Sequence, residues 1–184
     1  LFDIKAKSVT PNQLIKAMLL AEVDLLWFGG IGTYIKSSDE SHTDAGDRAN
    51  DAIRINGEEL NCKVIGEGAN LGCTQLGRVE FAKRGGRVYT DFIDNSAGVD
   101  CSDHEVNIKI CLGDVVRRKR MTEKQRNVLL ERMTDEVAAL VLRDNYQQSQ
   151  SLQVELTHGY RVLDQQQHMI RTLERSGDLN REIE

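Results

Sequence analysis

With 184 residues, 40% of them hydrophobic and 29% charged, the chain has material for a packed core and is too apolar for wholesale disorder. A net charge of −5 argues against a sequence-independent nucleic-acid binder, which needs a basic excess, and no apolar run approaches the ~20 residues of a membrane span. The first residues do not have the form of a secretory leader, and a start on Leu1 rather than Met reads as a piece of a longer protein. The four cysteines, Cys62, Cys73, Cys101 and Cys111, form no Cys-x-x-Cys pair. No metal site is expected from them, and the thiols are expected to be reduced and buried.

In chain order, Thr10 and Pro11 open a helix, and Leu14, Ile15, Met18 and Leu19 recur at helical spacing over 11–21. Asp24–Phe28 is a short apolar run closed by Gly29-Gly30, the pattern of a buried strand feeding a glycine loop. Residues 37–51 are polar and predict an exposed loop with a helical turn near Asp47–Ala52. Asn56-Gly57 is a turn signal consistent with a small hairpin. Cys62–Ile65 predicts a second buried strand, followed by a glycine loop and a helix through Leu76, Val79, Glu80 and Lys83 that ends at Gly85-Gly86. Val88–Ile93 predicts a third strand, so that strand, helix and strand form a parallel, right-handed unit. From Asp103 the pattern is helical. Thr122 and Gln125 match a capping box that opens a helix to about Asn145, and a second stripe from Leu152 to Leu173 stops at Ser176-Gly177. The two read as an antiparallel helical pair.

Three strand ends therefore carry small or amide residues: Phe28-Gly29-Gly30, Gly66-Glu67-Gly68-Ala69-Asn70 and Asp94-Asn95-Ser96-Ala97-Gly98. Neither glycine loop has the G-x-G-x-x-G spacing of a pyrophosphate cradle or the Gly-Lys-Ser/Thr of a Walker loop. Singly, each is a tight strand-to-helix turn. Together they predict one rim at the carboxyl ends of parallel strands, where ligands of open α/β sheets lie. Small residues admit a flat ring close to the backbone, and Asn70 and Asn95 offer amides that donate and accept. The stretch "VDCSDHE", 99–105, leaves several readings open. They are a metal cluster, a Cys101–His104 nucleophilic pair, and a helix start capped by Ser102 or Asp103, where a serine could also hold a substrate carboxylate.

The stretches "DLLWFGGIGTYIK", "GEGANLGCTQLGRVEFA", "GGRVYTDFIDNSAGVDCSDHEVNIKI" and "MTDEVAALVLRDNY" resemble the large NAD-specific glutamate dehydrogenases, the very long bacterial class, over roughly Ser8 to Leu179. The resemblance implies a later part of the catalytic region of such an enzyme. It implies an α/β fold, a partial Rossmann-like parallel sheet of about three strands followed by a helical C-terminal segment. Residues 1–119 would be the second half of a dinucleotide-binding domain and 120–184 a helical segment. It further implies NAD as cofactor. Gly29 and Gly30 would lie along the adenosine-side ribose, Gly68, Ala69 and Asn70 beside the nicotinamide ribose, and Asn95 at the nicotinamide end. Val99 and Ser102 would line the glutamate side-chain pocket. The family's catalytic lysine and aspartate and its pyrophosphate fingerprint have no counterpart in these residues, so no catalytic residue is assigned.

The implied activity is oxidative deamination of L-glutamate to 2-oxoglutarate and ammonia by a cytoplasmic oxidoreductase of amino-acid metabolism. Its expected partners are the remainder of the parent chain and further copies of the enzyme. Nucleic acid and membrane are not expected as partners. The segment alone is expected to be inactive. The other reading is a folding or assembly module, in which the two helices dock on another part of a large chain or on another subunit.

Overall fold

The structure, a computed structural model, describes Phe2 and residues 4–182; Leu1, Asp3, Ile183 and Glu184 lie outside the described residues. The chain divides into two compact units, Leu1–Asn145 and Tyr146–Glu184. The first is α/β and mostly helical. Helix α1, Pro11–Leu19, opens as the sequence predicts: Thr10 Oγ1 accepts from Gln13 N–H at 3.3 Å, and Gln13 Oε1 accepts from Thr10 N–H at 2.9 Å. These bonds satisfy donors that a helix start leaves orphaned. Strand β1, Leu25–Phe28, follows.

Two short strands come next, β2 at Ile35–Lys36 and β3 at Ile55–Asn56. They pair in parallel, Ile35 with Ile55 and Lys36 with Asn56, so the expected hairpin at Asn56-Gly57 is not formed. Instead Gly57–Glu59 makes a 3₁₀ turn, its Glu59 carboxylate accepting from Asn56 N–H at 2.7 Å. The segment between these strands is largely exposed and has its helical turn near the expected place, but it is more ordered than a loop. It holds helix α2, His42–Ala45, and a 3₁₀ turn at Arg48–Asn50, wrapped around the buried guanidinium of Arg54. Arg54 Nε donates to Thr33 O at 2.8 Å, Nη1 to Asp51 Oδ1 at 2.6 Å, and Nη2 to Asp47 O. A polar stretch thus closes over a charged centre, a pattern that hydrophobic periodicity does not reveal.

Strand β4, Val64–Glu67, pairs in parallel with β1 in the register Leu25–Val64 through Phe28–Glu67. Helix α3, Gln75–Lys83, follows, capped by Thr74, whose hydroxyl accepts from Gly77 N–H at 3.0 Å. The third strand predicted at Val88–Ile93 does not form; a single parallel bridge, Arg87 against Val64, falls just before it. Beyond it Thr90, Asp91 and the following residues turn into helix α4, Asp91–Asp94, and then α5, Ser96–Arg117. The physical reason lies in Asp91 and Asp94. Acidic residues favour the first turn of a helix, and both carboxylates accept from backbone N–H groups of the β4 loop rather than leaving the chain extended beside it.

The core gathers Leu19, Phe28, Ile35, Ile55, Leu60, Cys62, Ile65, Cys73 and Phe81. Strand β1 reaches it through Phe28, with Leu26 packed against it, while Leu25 and Trp27 are 53% and 58% exposed. The strand is therefore buried on one face, not two. The Trp27 indole crosses its neighbour strand: a Cβ on Gly66 would sit 2.5 Å from Trp27 Cε3, and one on Gly68 closer still to Cζ2. Glycine at 66 and 68 is what lets the ring lie down.

Helix α6, Glu123–His158, contributes to both units. It starts at the predicted box, with Thr122 Oγ1 accepting from Gln125 N–H at 3.2 Å and Gln125 Oε1 from Thr122 N–H at 2.9 Å. It does not stop near Asn145; the break falls at a 3₁₀ turn, Gly159–Val162, before helix α7, Leu163–Ser176. Gly177 closes α7 in the left-handed conformation, φ 81°, as predicted. No helix among the described residues is long and apolar enough to cross a membrane.

Two predictions follow from this packing. Gly68→Ala should lower unfolding free energy by about 1–3 kcal/mol, the usual cost of overpacking, in urea denaturation followed by far-ultraviolet circular dichroism. Adding Trp27→Ala should remove most of that penalty; independent, additive losses would show that the ring and the glycine do not meet. The second concerns Asp47, whose carboxylate accepts from Asn50 Nδ2 and from Thr33 N–H at 2.8 Å. These bonds, Asn50's foremost, hold its pKa below the ordinary value. A lowered folded-state pKa contributes stability that is present above the unfolded carboxylate value, about 3.9, and lost as pH falls through the lower folded value. Asp47→Ala should therefore cost about 1 kcal/mol near neutrality, with the difference from wild type shrinking in acid denaturation below about pH 4.

Candidate functional site

The end of β4 is built around a carboxylate. Glu67 is fully buried, at 0% exposure, between two glycines. A buried charge needs a partner and hydrogen bonds for its lone pairs. Both come from α3 and its approach: Arg78 Nε donates to Glu67 Oε1 at 2.7 Å, Arg78 Nη2 to Oε2 at 3.0 Å, and Cys73 N–H to Oε2 at 3.2 Å. Burial works against the charge on Arg78, and Glu67, helped by Cys73 and Asp91, more than offsets it, leaving the guanidinium pKa above its ordinary value. Burial, aided by Glu67, pushes the Cys73 thiol well up, which makes it a poor nucleophile.

The network then reaches the next segment. Arg78 Nη2 lies 3.2 Å from Asp91 Oδ1, and Asp91 Oδ2 accepts from Leu71 N–H at 2.7 Å. Leu71 holds a left-handed backbone, φ 64°, that side chains other than glycine adopt only where contacts impose it. Asp94 Oδ2 accepts from Glu67 N–H at 2.9 Å, and burial raises the Asp94 pKa. Asn95 Nδ2 donates to Gly68 O at 2.8 Å. On the opposite side Gly72 O accepts from Tyr34 N–H at 2.9 Å and Ile35 N–H at 3.1 Å. The loop 68–72 is thus clamped on two sides.

Of the residues singled out from sequence, Gly68 and Asn95 are joined directly by that bond, with Ala69 and Asn70 on the same loop. The Phe28–Glu67 register puts Gly29 and Gly30 just past the adjacent strand tip. There a cavity of about 320 Å³ opens among Ile15, Met18, Trp27, Gly29, Gly30 and Tyr34. Val99 and Ser102 are both exposed and lie three residues apart on α5, hence on one face. Ser102 sits inside that helix, not at its start, since the helix already begins at Ser96; the expected capping role is overturned.

The junction of α4 and α5 is pinned by α6: Asn145 Nδ2 donates to Ser96 Oγ at 2.8 Å and to Ile93 O at 3.2 Å. Beside it, ligand atoms of Asp100, His104 and Asp144 lie within 4.8 Å of one another, with His104 Nε2 3.4 Å from Asp100 Oδ1. This group shares only Asp100 and His104 with the cluster that the sequence had offered. Cys62 and Cys73 are buried as expected, but Cys101 and Cys111 are exposed on α5.

Sequence reading missed the roles of Glu67, Arg78, Asp91 and Asp94. One signal was available: a glutamate at the end of an apolar strand demands a cation, and Arg78 lies one turn into the following helix.

The family described as "Bacterial NAD-glutamate dehydrogenase, catalytic domain" matches residues 1–155. An NAD-specific glutamate dehydrogenase of Halomonas elongata is 56% identical over 183 residues, which are 100% of this chain and 11% of that protein. The protein of the same name from Pseudomonas aeruginosa gives the same identity and coverage. The one from Mycobacterium tuberculosis is 51% identical over 182 residues, 99% of this chain and 11% of that protein. The chain thus spans about a ninth of the length of these curated relatives, and it belongs to the bacterial NAD-glutamate dehydrogenase catalytic-domain family.

Proposed function

We propose that the chain is the later part of the dinucleotide-binding region of an NAD-dependent glutamate dehydrogenase, with its Rossmann-like half-domain in residues 1–119 and a helical segment in 120–184. The observation that carries this reading is the meeting of two strand tips with the α4–α5 junction: Phe28 pairs with Glu67, and Asn95 binds the carbonyl of Gly68. Bound NAD would accept the hydride from the α-carbon of L-glutamate, and the resulting imine would hydrolyse to 2-oxoglutarate and ammonia.

The residues present fit the neutral parts of that cofactor. Gly68 and Ala69 leave the backbone approachable beside a ribose. Asn95 gives its N–H to Gly68 O, which leaves Oδ1 as an acceptor for a carboxamide N–H. Gly29 and Gly30 border the cavity at the β1 tip, where the adenosine-side ribose would pass. Val99 and Ser102, on one face of α5 just after Asn95, would receive the glutamate side chain, the serine hydroxyl donating to its γ-carboxylate. These groups orient the reactants, and positioning alone can supply several kcal/mol of barrier lowering. The parent enzyme would be a cytoplasmic homo-oligomer.

A second reading, an assembly module, is favoured by one observation. Leu156, Tyr160, Leu163 and Met169 of the second unit are all exposed. Light scattering of the parent enzyme lacking residues 146–184 checks it: an unchanged assembly and unchanged solubility would count against that role.

The main test is turnover by the full-length parent, followed by the absorbance of reduced nicotinamide. NAD-dependent glutamate oxidation is expected there and not in the isolated 184-residue chain. Ser102→Ala in the parent should raise the KM for glutamate roughly 10-fold or more, the equivalent of one charge-assisted hydrogen bond, with the KM for NAD little changed. A parent that oxidises no glutamate, or a Ser102→Ala enzyme with unaltered glutamate KM, would contradict the assignment.

A further inference from the structure

We propose that the buried Glu67–Arg78 pair, extended through Asp91, is a positioning device that sets the Gly68–Asn70 loop and Asn95 in the shape NAD requires; the inference rests on the dehydrogenase reading above. Glu67 and Arg78 touch neither reactant on this view and act through the backbone that they hold.

Three observations carry the inference. First, the pair is more than a core ion pair, because its bonds end on the candidate cofactor loop. Arg78 holds Glu67 at 2.7 and 3.0 Å and also faces Asp91 at 3.2 Å, and Asp91 in turn fixes Leu71 N–H at 2.7 Å. Asn70 is therefore bracketed between a loop start tied to Asn95 and a Leu71 held at φ 64°. Second, the residue that anchors the pair is also tied through its backbone to the other side of the rim. Glu67 N–H is bound by Asp94, the residue before Asn95, so a shift of β4 moves the Asn95 amide with it. Third, the loop has little stiffness of its own. Gly66, Gly68 and Gly72 fall within seven residues, and glycine-rich backbone has the largest conformational freedom to lose. A loop that must present an ordered backbone to a ligand, while lacking side chains to order it, needs an external brace. The bidentate fork of an arginine on a carboxylate is the side-chain interaction with the best-defined geometry for that purpose.

The consequence is directional. Loss of the brace leaves the loop in more conformations, of which only a fraction bind nucleotide, so apparent NAD affinity falls by that fraction. The chemical step at saturating NAD is less affected, because bound nucleotide selects the competent shape.

The experiment uses the full-length parent enzyme, with steady-state kinetics, calorimetric NADH binding and thermal melting for wild type, Glu67→Gln, Asp91→Asn and the double variant Glu67→Gln/Arg78→Met. Glu67→Gln is expected to raise the KM for NAD and the Kd for NADH about 10-fold or more, with kcat at saturating NAD and the glutamate KM within about threefold. Asp91→Asn, at the outer end of the network, should show a smaller shift in the same sense, and it keeps the test decisive if Glu67→Gln does not fold. The double variant separates positioning from stability. Replacing both charges by uncharged side chains relieves the unpaired buried charge and should return the melting temperature toward wild type, while NAD affinity stays weak. Recovery of NAD affinity together with melting temperature would reduce the pair to a stability element and overturn the proposal. So would unchanged NADH Kd in the folded single variants. If the wild-type parent binds NADH but does not oxidise glutamate, the functional reading fails while the binding arm still decides the role of the brace.

Discussion

A carboxylate with no access to water lies at the tip of a strand, and much of the first unit is arranged to make that tolerable. Glu67 cannot be stabilised by solvent, so Arg78 must be close, which fixes how far α3 sits from β4 and where its first turn points. Arg78 in turn draws in Asp91, and Glu67 N–H draws in Asp94, so the chain after Arg87 curls into α4 and not onward as a strand. Removing one member of such a pair typically costs about 3–5 kcal/mol, a large part of a domain's whole stability. The same charges that end the sheet therefore define the rim.

Beside this polar brace stands a purely steric one. Trp27 lies over Gly66 and Gly68, so the strand tip is shaped on one side by a ring and on the other by hydrogen bonds. The two devices suit different parts of the loop. The ring excludes any side chain at 66 and 68 and keeps the backbone thin there; the carboxylates of Asp91 and Asp94 fix the direction of its N–H groups. A thin backbone with oriented polar groups is what a flat heterocycle and its sugar need in order to approach closely.

Local signals were readable where the chemistry is local. The capping boxes at Thr10 and Thr122, the strand at 25–28, and the glycine stop at 177 follow from residues within a few positions of one another, while the strand expected at 62–65 lies two residues later, at 64–67. What escaped depends on partners far apart in sequence. The polar run 37–51 gives no sign that Arg54 will be buried beneath it, because a charged residue in a polar stretch reads as solvated. Val88–Ile93 has β-branched and aromatic residues at strand spacing, yet Asp91 and Asp94 find backbone donors on the β4 loop, and tertiary bonding overrides propensity. The candidate rim was legible as three tips rich in small and amide residues; that Asn95 would be held by Gly68 itself was not.

The charge balance at the rim also says which part of a dinucleotide it can face. Arg78 is the basic member of the Glu67 network, and its guanidinium is turned inward, engaged by Glu67 and Asp91. Glu67 and Asp91 both engage that cation, and Asp94 lies beside them on Glu67 N–H, so the local field does not favour a phosphate. A phosphate needs open N–H groups at a helix N-terminus or a free cation. Three N–H groups around the β4 end are already engaged: Leu71 N–H by Asp91, Glu67 N–H by Asp94, and Cys73 N–H by Glu67. The loop also presents thin backbone and, beside it, the oxygen of Asn95. Those groups match hydroxyls and a carboxamide, the parts of the cofactor that the proposed function brings to this rim.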